Sequence, residues 1–456
     1  MTRLGMIIFL IYAVILAVLG VFSQWPTTIT PDAAMHAEIV EIIKVQGFIQ
    51  TWEPYAQNEF TYPPLFHYAT LMLPLESIDA VRALGLVIWL LFPLAMYFFV
   101  STYNKKAAIP AAFFVGLVPS FATVFIYSEF PQLLAMLLLV WQWYFLRKER
   151  YGVAGVLVGL IALTHVFFVI IAGALYVCYL YASKEWRYLF YVFVPVLVGL
   201  PWLHAYGKIV RNVLTGAWEN TRYNAMQPVF GFWPWETIKD WLFGMHGLTI
   251  ALVVLALYGF FKTKDHILRG VFILSLIFTM FHIPFTQLKI YDFLALPMIM
   301  LAALGIAEFP VKRLRTPFIV VVVIFLAFAQ VQHFQAAQKF WLNPEIAPTE
   351  ELADAAEWLG NHDDERVRIY AHQASAWAGI LSHKLPLNPD ITHLEAFSDA
   401  YKEQLAYREK VKNALENGSD VRTLLAEWNV KYAIVPIELK PSLNLIYTNG
   451  VWGVYE

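Results

Sequence analysis

The chain has 456 residues, 59% of them hydrophobic and only 14% charged, with a mean hydropathy of +0.57. Soluble domains carry about 25% charged residues, so the composition marks a membrane protein, and a net charge of −2 offers no field for nucleic acid. One cysteine, Cys178, rules out an internal disulfide and a thiolate metal cluster.

The apolar residues arrive in blocks of about 20, the length a helix needs to cross a bilayer core of roughly 30 Å. Residues 4–23 form the first block. Trp25 and Pro26 stand where a cleavage site would need small residues, so the block reads as an uncleaved anchor with the N-terminus in the cytosol. Next comes "TITPDAAMHAEIVEIIKVQGFIQTW", residues 28–52. Thr30, Pro31 and Asp32 make a helix start, Met35, Ile39, Ile42 and Ile43 share one face, and Asp32, His36, Glu38 and Glu41 lie on others. The spacing predicts an amphipathic helix on the outer leaflet, inside a long external loop over 24–79. Asp32 then has two readings. It is an N-cap carboxylate that stabilises the helix dipole, or it is a base or metal ligand facing the lipid headgroups, with His36 one turn further on.

Basic clusters set the orientation. "NKK" at 104–106, "RKER" at 147–150, "SKEWR" at 183–187, "KTKDHILR" at 262–269 and "KRLR" at 312–315 all belong in the cytosol. Each adjacent pair must therefore enclose an even number of crossings, which puts an external turn at Ser128 and Glu129 and another at Thr164 and His165. About eleven spans result, near 4–23, 80–102, 107–127, 131–146, 151–164, 166–182, 188–205, 247–262, 268–285, 291–309 and 316–333. Glu129, in "IYSEFPQLL", would be a costly intramembrane charge anywhere but at such a turn. It lies on the same membrane face as Asp32, and two acidic groups that converge suit proton abstraction or divalent-metal binding near a phosphate. The external loop at 206–246 holds Arg211, Arg222, Trp218, Trp233, Trp235 and Trp241. Aromatics beside cations suit a sugar or headgroup surface, and an aromatic belt accounts for the tryptophans equally well.

From residue 334 the charges become dense and mixed. "PTEELADAAEWLG" predicts a helix with Thr349 as N-cap, Glu350 and Glu351 in the first turn and Gly360 just past its end. "RVRIYA" and "VKYAIVP" predict short buried strands, and Asn449-Gly450 a hairpin turn before "VWGVYE". The expected architecture is an α-helical polytopic membrane domain over 1–333, followed by a small soluble extracytoplasmic α/β domain over 334–456. His362, His372, His383 and His393 lack close ligand spacing and read as ordinary surface or core residues.

These features together resemble the GT-C glycosyltransferase superfamily: an acidic residue after the first span, a long first loop ending in "YPPLFHY", a second acidic residue in the next external turn, a "TH" turn, and a tail with "VKYAIVP". The resemblance runs over most of the chain and implies a polytopic enzyme that takes a sugar from a polyprenyl-phosphate or polyprenyl-diphosphate carrier. Asp32 matches the family's first-loop catalytic aspartate and Glu129 its second-loop acidic residue. "QLKIYDFLALP", residues 287–297, is similar to the stretch that sets a basic residue against donor phosphate, with Lys289 in that place and Tyr291 as a hydrogen-bond donor. Two departures are plain. Asp32 is followed by Ala33, so the Asp-Glu pair of protein mannosyltransferases is missing. No "WWD" motif is present, since "WPWE" at 233–236 is different, which disfavours transfer to Asn.

The resemblance implies inversion at the anomeric carbon, with Asp32 as base and with Lys289, Tyr291 and a divalent cation, Mg²⁺ or Mn²⁺ on Asp32 and Glu129, supplying charge stabilisation. His165 either lines the donor pocket or caps a short helix. Tyr62 and His67 flank the double proline that opens a second in-plane helix and, with His36 and Arg222, are candidates to touch sugar or acceptor, with packing as the other role of Tyr62. The acceptor is a glycan, a lipid or a protein, and membrane lipids surround the chain. Two rivals stand beside this reading. A transporter or flippase of lipid-linked glycan would show paired, broken helices, which are not seen. A non-catalytic scaffold of the same fold would lose the carboxylates, and both are present.

Overall fold

A computed structural model describes residues 12–21, 31–46, 63–126, 128–198, 231–232, 250–282, 287–310, 312–341, 348–387 and 399–456. The helices are α1 Tyr12–Val21, α2 Pro31–Gln46, α3 Leu65–Leu71, α4 Ser77–Ser101, α5 Ala108–Leu117, α6 Pro119–Ile126, α7 Phe130–Arg147, α8 Tyr151–Ala162, α9 Val166–Ser183 and α10 Phe193–Val198. They continue as α11 Ile250–Lys262, α12 His266–Met280, α13 Gln287–Ala307, α14 Lys312–Trp341, α15 Glu350–His362, α16 Ser375–Ser382, α17 Asp399–Glu416 and α18 Arg422–Glu427. A short 3₁₀ segment, Trp186–Val192, precedes α10. The strands are β1 Gly231–Phe232, β2 Phe281–His282, β3 Arg368–Ala371, β4 Leu385–Pro386, β5 Val430–Pro436, β6 Leu445–Thr448 and β7 Trp452–Tyr455.

Apolar blocks become helices because a helix satisfies its own backbone polar groups where no water can. Helical segments fall within each predicted block. Among the described residues α4 is long and apolar enough to cross a membrane by itself, while α1, α5, α8, α11 and α12 are shorter apolar pieces. The block predicted at 107–127 is divided at Val118, which is extended (φ −75°, ψ 123°). Pro119 follows it, and the proline ring disfavours the helical conformation for the residue before it. Helix α14 runs for 30 residues, about 45 Å, straight through the predicted domain boundary at 333/334.

Contacts sort the helix ends into two groups. At one end Arg147 pairs with Asp265 at 2.8 Å, its guanidinium lies 4.3 Å from the Tyr103 ring, and Asn104 donates to Glu308 at 3.2 Å. The basic clusters at 104–106, 147–150 and 262–269 therefore gather together. At the other end the Leu65 amide donates to the Leu163 carbonyl at 2.9 Å, and the Phe66 ring lies 6.0 Å from Phe130. Helices α5 and α6 carry the chain from the first end to the second and α7 returns it, as do α8 and α9 in their turn. Helices α11 and α13 approach most closely at Gly259 and Gly305, where an added Cβ on Gly259 would fall 1.8 Å from the Leu301 carbonyl oxygen. Small residues permit such backbone contact between apolar helices.

The C-terminal part forms a five-stranded sheet in the order β4-β3-β5-β7-β6. β3 is parallel to β4 and β5; β7 is antiparallel to β5 and β6. Alternate side chains face opposite ways. Ile369, Ala371, Tyr432, Ile434, Trp452 and Val454 join a core continuous with α15, α16 and the helical bundle. Tyr370, Ala433, Val435 and Tyr455 build a second core with Tyr407, Val411 and Leu425. The predicted strands and hairpin are present: the Asn449 Oδ1 accepts from the Val451 and Trp452 amides, and Gly450 takes φ 90°. Thr349 caps α15 by accepting from the Leu352 amide at 3.2 Å. Gly360 differs from expectation. It lies inside α15, not beyond its end, where a Cβ would sit 3.2 Å from the Leu381 and Ser382 carbonyl oxygens.

The largest departure concerns α2. The sequence predicts an amphipathic helix lying on the outer leaflet, but residues 33–40 are all buried, along with Ile42 and Ile43. Helix α2 packs against α3, α4 and α16 at once. Ala33, Ala34 and Ala37 are what allow so many neighbours to come close, and this small face reads as weakly polar in a linear pattern.

Candidate active site

Asp32 stands half-buried in the first turn of α2, where a carboxylate complements the positive end of the helix. One turn on, the His36 Nδ1 lies 3.2 Å from the His67 Nε2, and both rings are buried. Burial lowers His67 to about 3, against a raising hydrogen bond with the Pro63 backbone, so its ring stays neutral. The His36 ring is 5.7 Å from Phe66, and Phe66 in turn 6.0 Å from Phe130. Phe130 follows Glu129, so the aromatic series His36, Phe66, Phe130 connects the helix of Asp32 to the turn of Glu129. Glu129 is half-buried at the N-cap of α7, and Ser128 before it, fully buried, takes the left-handed φ of 59°. Such a conformation is uncommon for a residue with a Cβ and is held by its surroundings.

The third turn belongs to His165. The backbone bond from Leu65 to Leu163 brings it to the same end of the bundle. Its Nδ1 accepts from the Phe167 amide at 3.3 Å, which makes it the N-cap of α9. The cap is thus present, as one of its two readings expects. His36 and His67, expected among substrate contacts, bond each other inside the protein. Lys289 and Tyr291 fall in the opening turns of α13, with side chains outside those described. Tyr62 and Arg222, together with Arg211, Trp218, Trp233, Trp235 and Trp241, lie outside the described residues.

Two charged groups on α2 are held differently. Glu41 accepts from Lys44 at 2.9 Å and from Ser77, and Lys44 also donates to Ser77 at 2.7 Å. Burial works to raise Glu41, but these hydrogen bonds prevail and hold it below its ordinary value. Glu38 is buried and pairs with Arg366 at 2.9 Å. Burial pushes its carboxyl up to about 7 despite the cation. Sequence reasoning passed over Arg366. Its only local signal is a cation leading into a buried strand, with nothing to connect it to Glu38. Arg82, buried at the start of α4, lies 5.5 Å from the Trp377 ring of α16 and 3.6 Å from Asp79.

Mg²⁺ and Mn²⁺ favour octahedral sets of oxygen ligands. Asp32 and Glu129 supply two carboxylates, and among the described residues no group of three or more His, Cys, Asp or Glu could hold an ion. Among the described residues the protein offers no closed set of ligands, so a cation on Asp32 and Glu129 would take its remaining ligands from water and substrate phosphate.

No family model and no curated protein matches the chain by sequence. Its fold is shared with several solved structures. ArnT from Cupriavidus metallidurans, bound to undecaprenyl phosphate, superimposes with a TM-score of 0.62 at 13% identity, over 99% of this chain and 97% of its own. The oligosaccharyltransferase AglB from Archaeoglobus fulgidus, in complex with an inhibitory peptide and a dolichol-phosphate, gives 0.53 at 13% identity over 96% of this chain and 70% of its own. The arabinofuranosyltransferase AftD from Mycobacteria gives 0.54 at 16% identity over 96% of this chain and 37% of its own. Another structure of the Archaeoglobus enzyme is a complex with Zn and sulfate.

Proposed function

We propose that the chain is an inverting glycosyltransferase that moves a sugar from a polyprenyl-phosphate or polyprenyl-diphosphate carrier to a hydroxyl on a glycan, lipid or protein acceptor. The supporting observation is a half-buried carboxylate, Asp32, opening α2 in a GT-C-like fold, with α2 packed on α3, whose Leu65 and Phe66 touch the turn before His165 and the residue after Glu129. That two structural neighbours carry polyprenyl phosphates adds support for a lipid-linked donor. The chain crosses the membrane about eleven times, with its N-terminus cytosolic and the C-terminal sheet as an extracytoplasmic domain over 334–456.

Asp32 takes the proton from the acceptor hydroxyl as the oxygen attacks the anomeric carbon from the face opposite the phosphate. The bond to the lipid phosphate breaks, and that phosphate, already a good leaving group, departs with the electron pair. It needs charge stabilisation more than acid help. Lys289 and Tyr291 serve there from the opening turns of α13, where a helix N-terminus favours an anion in any case. Glu129 orients the acceptor or the sugar at the same end of the bundle. His36 and His67 act by holding α2 and α3, and Tyr62 and Arg222 remain with the substrate.

The test is transfer of radiolabelled sugar by purified protein from a panel of polyprenyl-phosphate donors to membrane extract, wild type beside Asp32→Ala. Transfer by the wild type that is lost in a folded Asp32→Ala protein supports the reading. Transfer unchanged in the variant overturns the role of Asp32. Movement of lipid-linked sugar across vesicles without transfer would favour the flippase, and neither activity the scaffold.

A further inference from the structure

Helix α2 carries Asp32, yet much of what holds α2 comes from the far end of the chain. Arg366, which leads into β3, reaches Glu38 across 328 residues of sequence, with Nη2 to Oε1 at 2.9 Å. The glutamate side chain is 7% exposed and the arginine 31%. Beside this pair, Trp377 of α16 lies against the buried Arg82, whose helix α4 packs on α2. Ala376, Trp377 and Ile380 share one core with Ala33, Ala34 and Ala37. The C-terminal sheet and its helices are thus fastened to the one helix that presents the proposed base.

A buried ion pair is a poor device for stability alone, because desolvation of both ions offsets most of their attraction and apolar side chains would do as well. What it supplies is direction: a guanidinium and a carboxylate bond only in a narrow set of orientations. We propose that Glu38 and Arg366 are positioning residues, through which the C-terminal unit sets the depth and rotation of α2 and so the placement of Asp32. The C-terminal unit thereby contributes to the active site through α2. This rests on the reading of Asp32 as base.

The experiment uses the full-length protein with Glu38→Gln, Arg366→Gln, Arg366→Lys, and the exchanged pair Glu38→Arg with Arg366→Glu. Steady-state transfer and amide hydrogen exchange of the 31–46 segment are measured on each. Loss of the pair should speed exchange in that segment and lower kcat by about tenfold to a hundredfold while KM for the donor stays within about twofold. The Arg366→Lys variant, which keeps the charge, should recover part of both and serves as the test if the glutamines fail to fold. Unchanged exchange in the single variants, or a kcat that falls only with the folded fraction, would overturn the proposal. Retained transfer in Asp32→Ala would instead sink the base reading, and the exchange measurement would still decide whether the pair holds α2.

Discussion

The His36 Nδ1 and the His67 Nε2 meet at 3.2 Å inside the protein, one nitrogen donating and the other accepting. The bond joins α2 to α3 one turn beyond Asp32. Replacing His67 by Phe leaves a buried ring nitrogen of His36 without this partner, at a cost of about 1–3 kcal/mol. A melting temperature in detergent several degrees below wild type is the expected result.

The same histidine makes stability depend on pH, and Glu38 opposes it. His67 falls from an ordinary 6.5 to about 3 on folding, so below 6.5 the unfolded chain binds one more proton. Its contribution is present above 6.5 and is lost as pH falls towards 3. Glu38 rises from 4.5 to about 7, so between those values the folded chain binds one more proton. Its contribution is present below 4.5 and is lost as pH rises through 7. Each slope is about 1.4 kcal/mol per pH unit at most, and from 4.5 to 6.5 they cancel. Denaturation from pH 4.5 to 6.5 should show stability rising with pH in Glu38→Gln and falling with pH in His67→Phe. Parallel curves for both variants and wild type would contradict this assignment.

Asp32→Asn keeps the shape of the side chain and removes the base. The expected loss is about 10² to 10⁴ in kcat, with KM for the lipid donor little changed. Glu129→Gln should also lower kcat, by about tenfold or more. If Glu129 only shapes the turn after Ser128, its Gln variant will transfer sugar at the wild-type rate.

Metal removal supplies another check. With two carboxylates and no cluster of three ligands among the described residues, any cation must share its shell with water and substrate phosphate, so transfer that stays within about twofold of its initial rate after chelation shows that the carboxylates work without one. An activity lost to chelator and restored by Mg²⁺ or Mn²⁺ would require ligands beyond these side chains.

Helix contact predicts a contrast between two glycines. Gly259→Ala places a Cβ against the Leu301 carbonyl, backbone that cannot move aside without parting α11 from α13. A loss of about 1–3 kcal/mol is expected. Gly173→Ala, in α9, meets nothing within 4 Å and should be neutral or gain about 1 kcal/mol from helix propensity. Thermal melts of the two variants side by side decide it.

Much of this architecture was legible from the chain in order. The apolar blocks became helices, and the basic clusters at 104–106, 147–150 and 262–269 did collect at one end. Thr349 capped its helix, and Asn449-Gly450 closed its hairpin. The site was less legible. Asp32 stood out as an acid at a helix start and Glu129 as an acid where an intramembrane charge is costly, whereas the pairing of His36 with His67 was missed and the cap made by His165 was left open. Gly360 shows why. A glycine near the end of a helical pattern signals termination, but here the helix continues and the missing side chain makes room for Leu381 and Ser382.

Sequence alone determined what neighbours a few residues apart can decide: helix or strand, cap and turn, which stretches are apolar, and which end of each helix bears basic charge. Only the tertiary structure decided that residues 33–40 of α2 are buried all round and that Arg366 meets Glu38. The physical reason is that local structure depends on backbone sterics and short periodicities written within a few residues. Burial and ion pairing depend on which distant surfaces meet, and no periodicity in the chain records that.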